Sequence, residues 1–356
     1  MAGAMLEWSE SVGLTVGIEE TIMPGAVATV DPKIVEYVCH TNAPNYRDRL
    51  LPDAFRYVTK YKGLTGSQGE YNRKHRQMCQ KPFMNQTSIR NFAEVITERV
   101  EQMLDYWQQA AEKDGGRIEV DMNEHSQRLT LDIISLVAFN HDFKQVKRTG
   151  WEMGVLGEES RVGLETDELL DAYNISSDIM GKLFITPVPL LKLGSKLGVP
   201  IVKELEENYD TLERVGMHIV NDRRKQLETE EPRCLLDLLI LSEDEDGNKL
   251  SDDDLWGDVN DIMAAGHRTQ ASNMTVTLYH VARDAEIERR ILEEVAQLGD
   301  RPLTYEDVTE GRLKYTQQVV KEGLRKYAPI NLFPRVAEKD DVLPTGHKVK
   351  KGDYIL

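Results

Sequence analysis

From Asp31-Pro32 to about residue 330, apolar residues recur at helical spacing, and that periodicity commits the chain to a mainly helical fold. Asp31 is a good N-cap, Pro32 suits the first helical position, and Ile34, Val35 and Val38 give the first helix its apolar face. Residues 90–109 repeat the pattern with Phe92, Val95, Ile96, Val100, Met103, Leu104 and Trp107, and Gly115-Gly116 ends it. Residues 129–139 are apolar nearly all round, which predicts a buried helix. Pro187-Val188-Pro189 and Pro200 break the chain between further helices, one over 201–227, and 254–280 carries another long pattern.

The two ends read differently. Residues 14–30 hold β-branched runs broken by Pro24-Gly25, which predicts two short strands and a turn. The last stretch is strand-like too. The expected fold class is mainly α with a small β-sheet: strands over 10–30, a helical body over 31–330, and a strand segment over 331–356. At 356 residues the chain suits one big domain or two ordinary ones. With neither an internal repeat nor a low-complexity linker, 1–356 reads as one domain.

Composition excludes more than it assigns. The balance of 44 Lys and Arg against 61 Asp and Glu gives a net charge of -17, which argues against nucleic acid or an anionic membrane surface as a partner. Cys39, Cys79 and Cys234 lie far apart without a CxxC pair, which argues against a disulfide framework or a zinc site and for a reducing compartment. No window approaches the roughly 18 to 20 apolar residues of a membrane span. Residues 1–5 lack the basic start and apolar core of a signal peptide, so the chain as written reads as soluble. The acidic run Glu243-Asp244-Glu245-Asp246-Gly247-Asn248 fails the calcium-loop template, with Leu255 where a bidentate Glu is required, and reads as a solvated loop before a helix capped by Ser251.

Three segments in the last third carry chemistry. Ala264-Ala265-Gly266 sits inside the 254–280 helix, where glycine costs about 1 kcal/mol against alanine, so either something flat needs the space or another helix crosses closely. Thr269 follows one turn on, and its hydroxyl has a bland use in bonding the Ala265 carbonyl. Glu322 and Arg325 share a helix face, and Arg335 follows Pro334 in Leu332-Phe333-Pro334-Arg335-Val336. Singly, each segment is ordinary.

Their order is not. Ala265-Gly266-His267-Arg268-Thr269, Lys321-Glu322-Gly323-Leu324-Arg325 and Phe333-Pro334-Arg335-Val336 resemble the oxygen-binding helix, the Glu-x-x-Arg helix and the haem-propionate strand of cytochromes P450. Upstream, Gly69-Glu70, Lys74-His75-Arg76 and Pro82-Phe83 resemble the family's C helix, and Leu129-Thr130-Leu131-Asp132-Ile133-Ile134 with Phe139 its E helix. The resemblance runs from about residue 10 to 356, and its wording is similar to eukaryotic forms, including plastid carotene hydroxylases.

The resemblance implies a P450-like fold, haem, and electrons from NAD(P)H through a P450 reductase or a ferredoxin, with one oxygen atom of O2 entering a small apolar substrate. It implies that Ala265 and Gly266 line the oxygen groove and that Thr269 holds dioxygen or the water that protonates it. It further implies that Arg76 and Arg335 pair with the haem propionates and that Glu322 with Arg325 forms a buried structural pair. Membrane association at the endoplasmic reticulum or plastid would come through an amino-terminal anchor. Substrate choice would lie in about 46–68 and 155–205.

Departures from the family pattern are equally specific. Arg268 stands at a usually acidic position beside Thr269, so that the resemblance implies a fixed positive charge in place of the catalytic carboxylate relay; Gln270 stands where Thr or Ser is common, and Asn72 where a propionate-binding tryptophan is expected, its amide substituting as the cofactor-binding donor. The glycine-rich segment with the axial cysteine is expected after Gly352 and beyond Leu356, and none of Cys39, Cys79 or Cys234 falls in a region that could replace it. The expectation is therefore a truncated P450 domain, inactive as given. The alternatives are an isomerase or dehydratase of the same fold, or a non-catalytic protein that binds an apolar ligand or a partner.

Overall fold

The computed structural model describes residues 13–18, 25–60, 62–83, 86–161, 167–184, 186–244, 246–299 and 301–356. Pro24, residues 1–5, Glu245 and the part of the 155–205 stretch over 162–166 lie outside them.

The expected strands form. β1 (Thr15–Ile18) pairs antiparallel with β2 (Ala26–Thr29), Thr15 opposite Thr29. β3 (Arg335–Val336) and β6 (Tyr354–Ile355) complete a four-stranded sheet in the order β1-β2-β6-β3, with β6 parallel to β2. The far end of the chain is thereby tied to its beginning. β4 (Asp341–Val342) and β5 (Lys348–Val349) make a separate hairpin. Ile34, Val38, Tyr46, Ala337, Leu343, Val349 and Ile355 pack into a small core there.

The helical body begins with α1 (Pro32–Glu36), where the Asp31 carboxylate accepts the Lys33 N–H as the sequence predicts. Then come α2 (Asp53–Val58), α3 (Gly63–Gly66), α4 (Gly69–Phe83), α5 (Gln86–Lys113), α6 (Met122–Phe139) and α7 (Gln145–Glu152). α8 (Asp167–Lys182), α9 (Val188–Lys196), α10 (Pro200–Gln226), α11 (Leu235–Ile240) and α12 (Asp252–Ala282) follow. α13 (Ala285–Ala296), α14 (Tyr305–Thr309) and α15 (Lys314–Lys326) lead back to the sheet. The fold is mainly helical with a small sheet, as expected.

α12 is the spine. Ser251 caps it by accepting the Asp254 N–H at 3.2 Å while Asp254 reaches back to Ser251, a reciprocal box that satisfies two otherwise orphaned donors. Leu255, Trp256, Val259 and Met263 are buried, and with Phe139, Leu205, Leu212 and Leu236 they form the main core. Each such side chain contributes about 1.5–3 kcal/mol by leaving water. α6 lies closest to α12: the Thr130 hydroxyl donates to the His267 carbonyl at 2.9 Å, and Ile134 fills the space beside Gly266.

Two buried carboxylates tie neighbouring elements. Asp132 on α6 accepts the Gln145 and Val146 N–H groups at 2.9 and 2.8 Å, so it caps α7. Asp237 on α11 receives the Arg223 guanidinium through two bonds of 2.8 and 2.7 Å. In the acidic run, the Asp244 carboxylate accepts the Asp246 and Asn248 N–H groups, which makes the segment a turn.

Candidate active site

α12 has faces with different duties. Ala265 is exposed and Thr269, one turn on, partly so, and the Thr269 hydroxyl donates to the Ala265 carbonyl at 2.7 Å. Gly266 looks the other way. A Cβ there would collide with the Ile134 side chain, so its smallness serves the α6–α12 crossing rather than a groove on the exposed face. The sequence alone left both uses open.

His267 is fully buried, its Nδ1–H donates to the Met263 carbonyl at 2.7 Å, and its ring lies 5.1 Å from that of Tyr173. Burial lowers its pKa to about 4, so the imidazole is neutral near pH 7. Arg268 turns toward α8 and donates to the Tyr173 carbonyl at 3.2 Å. Its charge is thus spent on joining two helices, and it lies on a different side of α12 from Thr269.

Arg49 stands within electrostatic reach of Arg335 on β3, Arg76 on α4 and Asp261 on α12. The Val336 N–H bonds the Asp48 carbonyl at 2.9 Å and the Gly69 N–H bonds the Asp48 carboxylate at 3.3 Å, so one residue positions both β3 and the start of α4. Burial first, then the charges of Arg335 and, less strongly, Arg76, lower the pKa of Arg49. Among the described residues neither Arg76 nor Arg335 has a carboxylate partner, and the Arg335 guanidinium bonds only the Pro334 carbonyl.

Arg49 was missed in the sequence because no motif surrounds it; its place follows from the long-range pairing of Asp48 with Val336. It donates to the Leu64 and Ser67 carbonyls at 2.9 and 3.3 Å. Asn72 is used locally as well, its amide donating to the Leu64 carbonyl and the Ser67 hydroxyl at 2.8 and 3.0 Å. Here it holds the 64–67 segment.

Glu322 and Arg325 do meet, through bonds of 2.7 Å each, but their side chains are 54% and 67% exposed, which corrects the expectation of a buried pair. The reason is that α15 has no buried residue, and its Val320 and Leu324 lie exposed, as do Leu292 and Val295 of α13. The cysteines are occupied elsewhere. Cys79 and Cys234 are buried, with Asp258 and Asp237 beside them, and Cys39 is exposed on the turn after α1.

The family model for Cytochrome P450 matches residues 21–356. This chain belongs to the cytochrome P450 family. Among its curated relatives, "Cytochrome P450 monooxygenase 205" of Postia placenta is 24% identical over 98% of the chain and 66% of the relative. Human "Cytochrome P450 4F11" is 28% identical over 83% of the chain and 55% of its own length. Human "Ultra-long-chain fatty acid omega-hydroxylase" is 23% identical over 83% of the chain and 54% of its own length. The chain thus spans about half to two thirds of the relatives it matches. Among the described residues no helix is long and apolar enough to cross a membrane.

The family implies haem. The residues present fit its carboxylate edge, for which Arg76 and Arg335 supply unpaired guanidinium groups, and its flat face, for which Ala265 and Thr269 leave room along α12. They do not fit its axial position, since no cysteine of the described residues lies free beside that face.

Proposed function

We propose that this chain is the distal-face and propionate-edge portion of a haem-thiolate monooxygenase. The whole protein would insert one oxygen atom of O2 into a small apolar substrate, with NAD(P)H-derived electrons delivered by a P450 reductase or a ferredoxin. The reading rests on Arg76 and Arg335, each within electrostatic reach of Arg49 and without a carboxylate partner among the described residues, and on Ala265 and Thr269, which lie one turn apart on one face of α12. Two arginines without internal carboxylates suit a dianionic edge, because a guanidinium fork binds a carboxylate through two charge-assisted bonds.

Haem, when bound, supplies the activation of dioxygen. The chain's own residues hold and protonate. Arg76 and Arg335 would hold the haem carboxylates. Thr269 gives its proton to the Ala265 carbonyl and so presents its oxygen lone pairs outward, which suits it to hold the hydrogen of an ordered water. Arg268 takes no part in this step, because its guanidinium is committed to Tyr173. His267, neutral and buried, takes none either.

The names of two relatives include a fatty-acid or leukotriene omega-hydroxylase, which supports an acyl chain as the substrate class. The test uses protein that carries an axial-cysteine segment, given NAD(P)H, a reductase, a long-chain fatty acid and isotopically labelled dioxygen. One labelled oxygen per product supports the reading; turnover of a substrate without dioxygen consumption assigns the isomerase or dehydratase alternative instead.

A further inference from the structure

α4 and α12 face each other across a buried group of donor atoms that the haem reading does not use. His75 and Cys79 stand one turn apart on α4, 3% and 1% exposed, and Asp258 on α12 is fully buried against both. His75 Nε2 lies 2.8 Å from Asp258 Oδ2 and 2.9 Å from Oδ1, and Cys79 Sγ lies 3.6 Å from the same Oδ2. All three donor atoms fall within 4.8 Å of one another.

We propose that His75, Cys79 and Asp258 form a binding site for a divalent transition metal of the zinc class. Imidazole, thiolate and carboxylate are the donors zinc takes, at about 2.0–2.3 Å, which sets ligand atoms roughly 3.3–3.8 Å apart around a tetrahedral ion. The Cys79 to Asp258 separation already meets that spacing, and the His75 to Asp258 separation needs to open by about half an ångström. Three protein donors leave one position for water.

Outer partners are in place as well. The Leu64 N–H donates to Asp258 Oδ1 at 3.1 Å, which fixes the carboxylate with Oδ2 toward Cys79. Asp254 Oδ1 lies 3.9 Å from His75 Nδ1, beyond a direct hydrogen bond but near enough for its charge to act on a ligating imidazole. The sequence hid the site because two of its ligands are not cysteines and one comes from a distant helix.

The chemistry balances without electron transfer. Three metal–ligand bonds form, the Nε2 and thiol protons leave to solvent, and the thiolate and carboxylate together neutralise the dication, so the buried site carries no net charge. Without metal, burial and then the Asp258 charge hold the Cys79 thiol protonated. Burial alone would lower the His75 pKa, but its bond to Asp258 and the charges of Asp258 and Asp254 leave it raised. The group is then a hydrogen-bonded histidine–aspartate pair with a thiol beside it. These two states are what an experiment must separate, and neither depends on the haem assignment.

The full chain, stripped with chelator, is titrated with Co²⁺ and then with Zn²⁺ in competition. One equivalent should bind and give a thiolate-to-cobalt charge-transfer band in the near ultraviolet that Zn²⁺ abolishes. Cys79→Ser should lose the band while its circular dichroism stays native, whereas Cys39→Ser and Cys234→Ser should keep it. Asp254→Asn should keep the band and weaken zinc binding about 10- to 100-fold. No band in the wild-type chain, or a band that survives Cys79→Ser, overturns the proposal and leaves the hydrogen-bonded pair alone.

Discussion

Gly63 and Gly257 meet backbone to backbone where α3 crosses α12: a Cβ on Gly257 would lie 2.5 Å from Gly63 N and 2.7 Å from its Cα. Gly63 also has φ of +73°, a left-handed conformation that side chains rarely adopt. The close approach lets Asp258 and Asp261 accept the Leu64 and Thr65 N–H groups at 3.1 and 2.7 Å, so α12 pins a helix of 4 residues that is too short to hold itself.

Gly257→Ala should therefore destabilise the chain by about 1–3 kcal/mol through overpacking, read as a lower urea midpoint. Gly181→Ala on α8 is the control. Nothing lies within 4 Å of its added Cβ and its φ is ordinary, so it should stabilise by about 0.4–1 kcal/mol. Equal effects at both positions would contradict the crossing.

Asp132 makes stability depend on pH. Burial raises its pKa to about 7, against the opposing bonds from Val146 and Gln145, with Asp142 raising it further and Arg99 lowering it. In the unfolded chain an aspartate titrates near 3.9. Between about pH 4 and about pH 7 the folded chain keeps a proton that the unfolded chain has lost, so stability falls as pH rises through that window. Asp132→Asn should flatten this slope. It should also cost about 1–3 kcal/mol throughout, because one oxygen must replace two as acceptors for the Gln145 and Val146 N–H groups. Urea melts across the window measure both effects; parallel slopes in the two proteins would show that Asp132 does not titrate there.

How far the sequence could be read depends on whether a feature was local. The 90–109 and 201–227 patterns appear as α5 and α10, and Asp31-Pro32 starts α1, because caps and periodicity act over a few residues. β3 and β6 have 2 residues each, which is too short for an alternating pattern, and only their pairing with each other and of β6 with β2 across the chain defines them. At the site, Ala265 and Thr269 were legible as a spacing. Gly266 was not, since the same glycine serves a groove or a helix crossing and only Ile134 decides. Arg49 was hidden because its partners, the Leu64 and Ser67 carbonyls, come to it only through the packing of α3, and no local pattern marks that.

The Glu322 and Arg325 pair should matter little to the stability of this chain. An exposed pair three residues apart on a helix contributes little and is screened by salt. Glu322→Ala should leave the urea midpoint nearly unchanged, and added salt should erase any difference. A large drop in the midpoint would mean that the pair is buried in the folded chain, as the family resemblance implied.

None of the cysteines should serve as a haem ligand in this chain. Cys79 and Cys234 are 1% and 3% exposed and enclosed in the main core, which has room for a small ion at most and none for a porphyrin face beside either sulfur. Incubated with haem, reduced and exposed to carbon monoxide, the chain should show no Soret band of thiolate type. Such a band, if lost on Cys39→Ser, Cys79→Ser or Cys234→Ser, would identify the ligand and reverse this assignment.

Thr269 is expected to set how electrons are used rather than whether substrate binds. Its hydroxyl proton is engaged by the Ala265 carbonyl, so its contribution is an acceptor that holds one water in line, and no carboxylic acid stands next to it. Arg268 cannot replace one, because a guanidinium keeps its proton near neutral pH even where burial lowers its pKa, and this one is turned toward Tyr173. In protein that carries an axial-cysteine segment, Thr269→Ala should leave the substrate Kd within about twofold while product per NAD(P)H falls by about tenfold or more, in the range that general acid–base groups supply. The missing electrons should appear as hydrogen peroxide. Arg268→Glu should cost stability through the lost tie to α8 yet leave coupling level or raised. Equal coupling in wild type and Thr269→Ala would remove Thr269 from proton delivery, and it would favour the isomerase or dehydratase alternative, for which a hydroxyl at this position has no use.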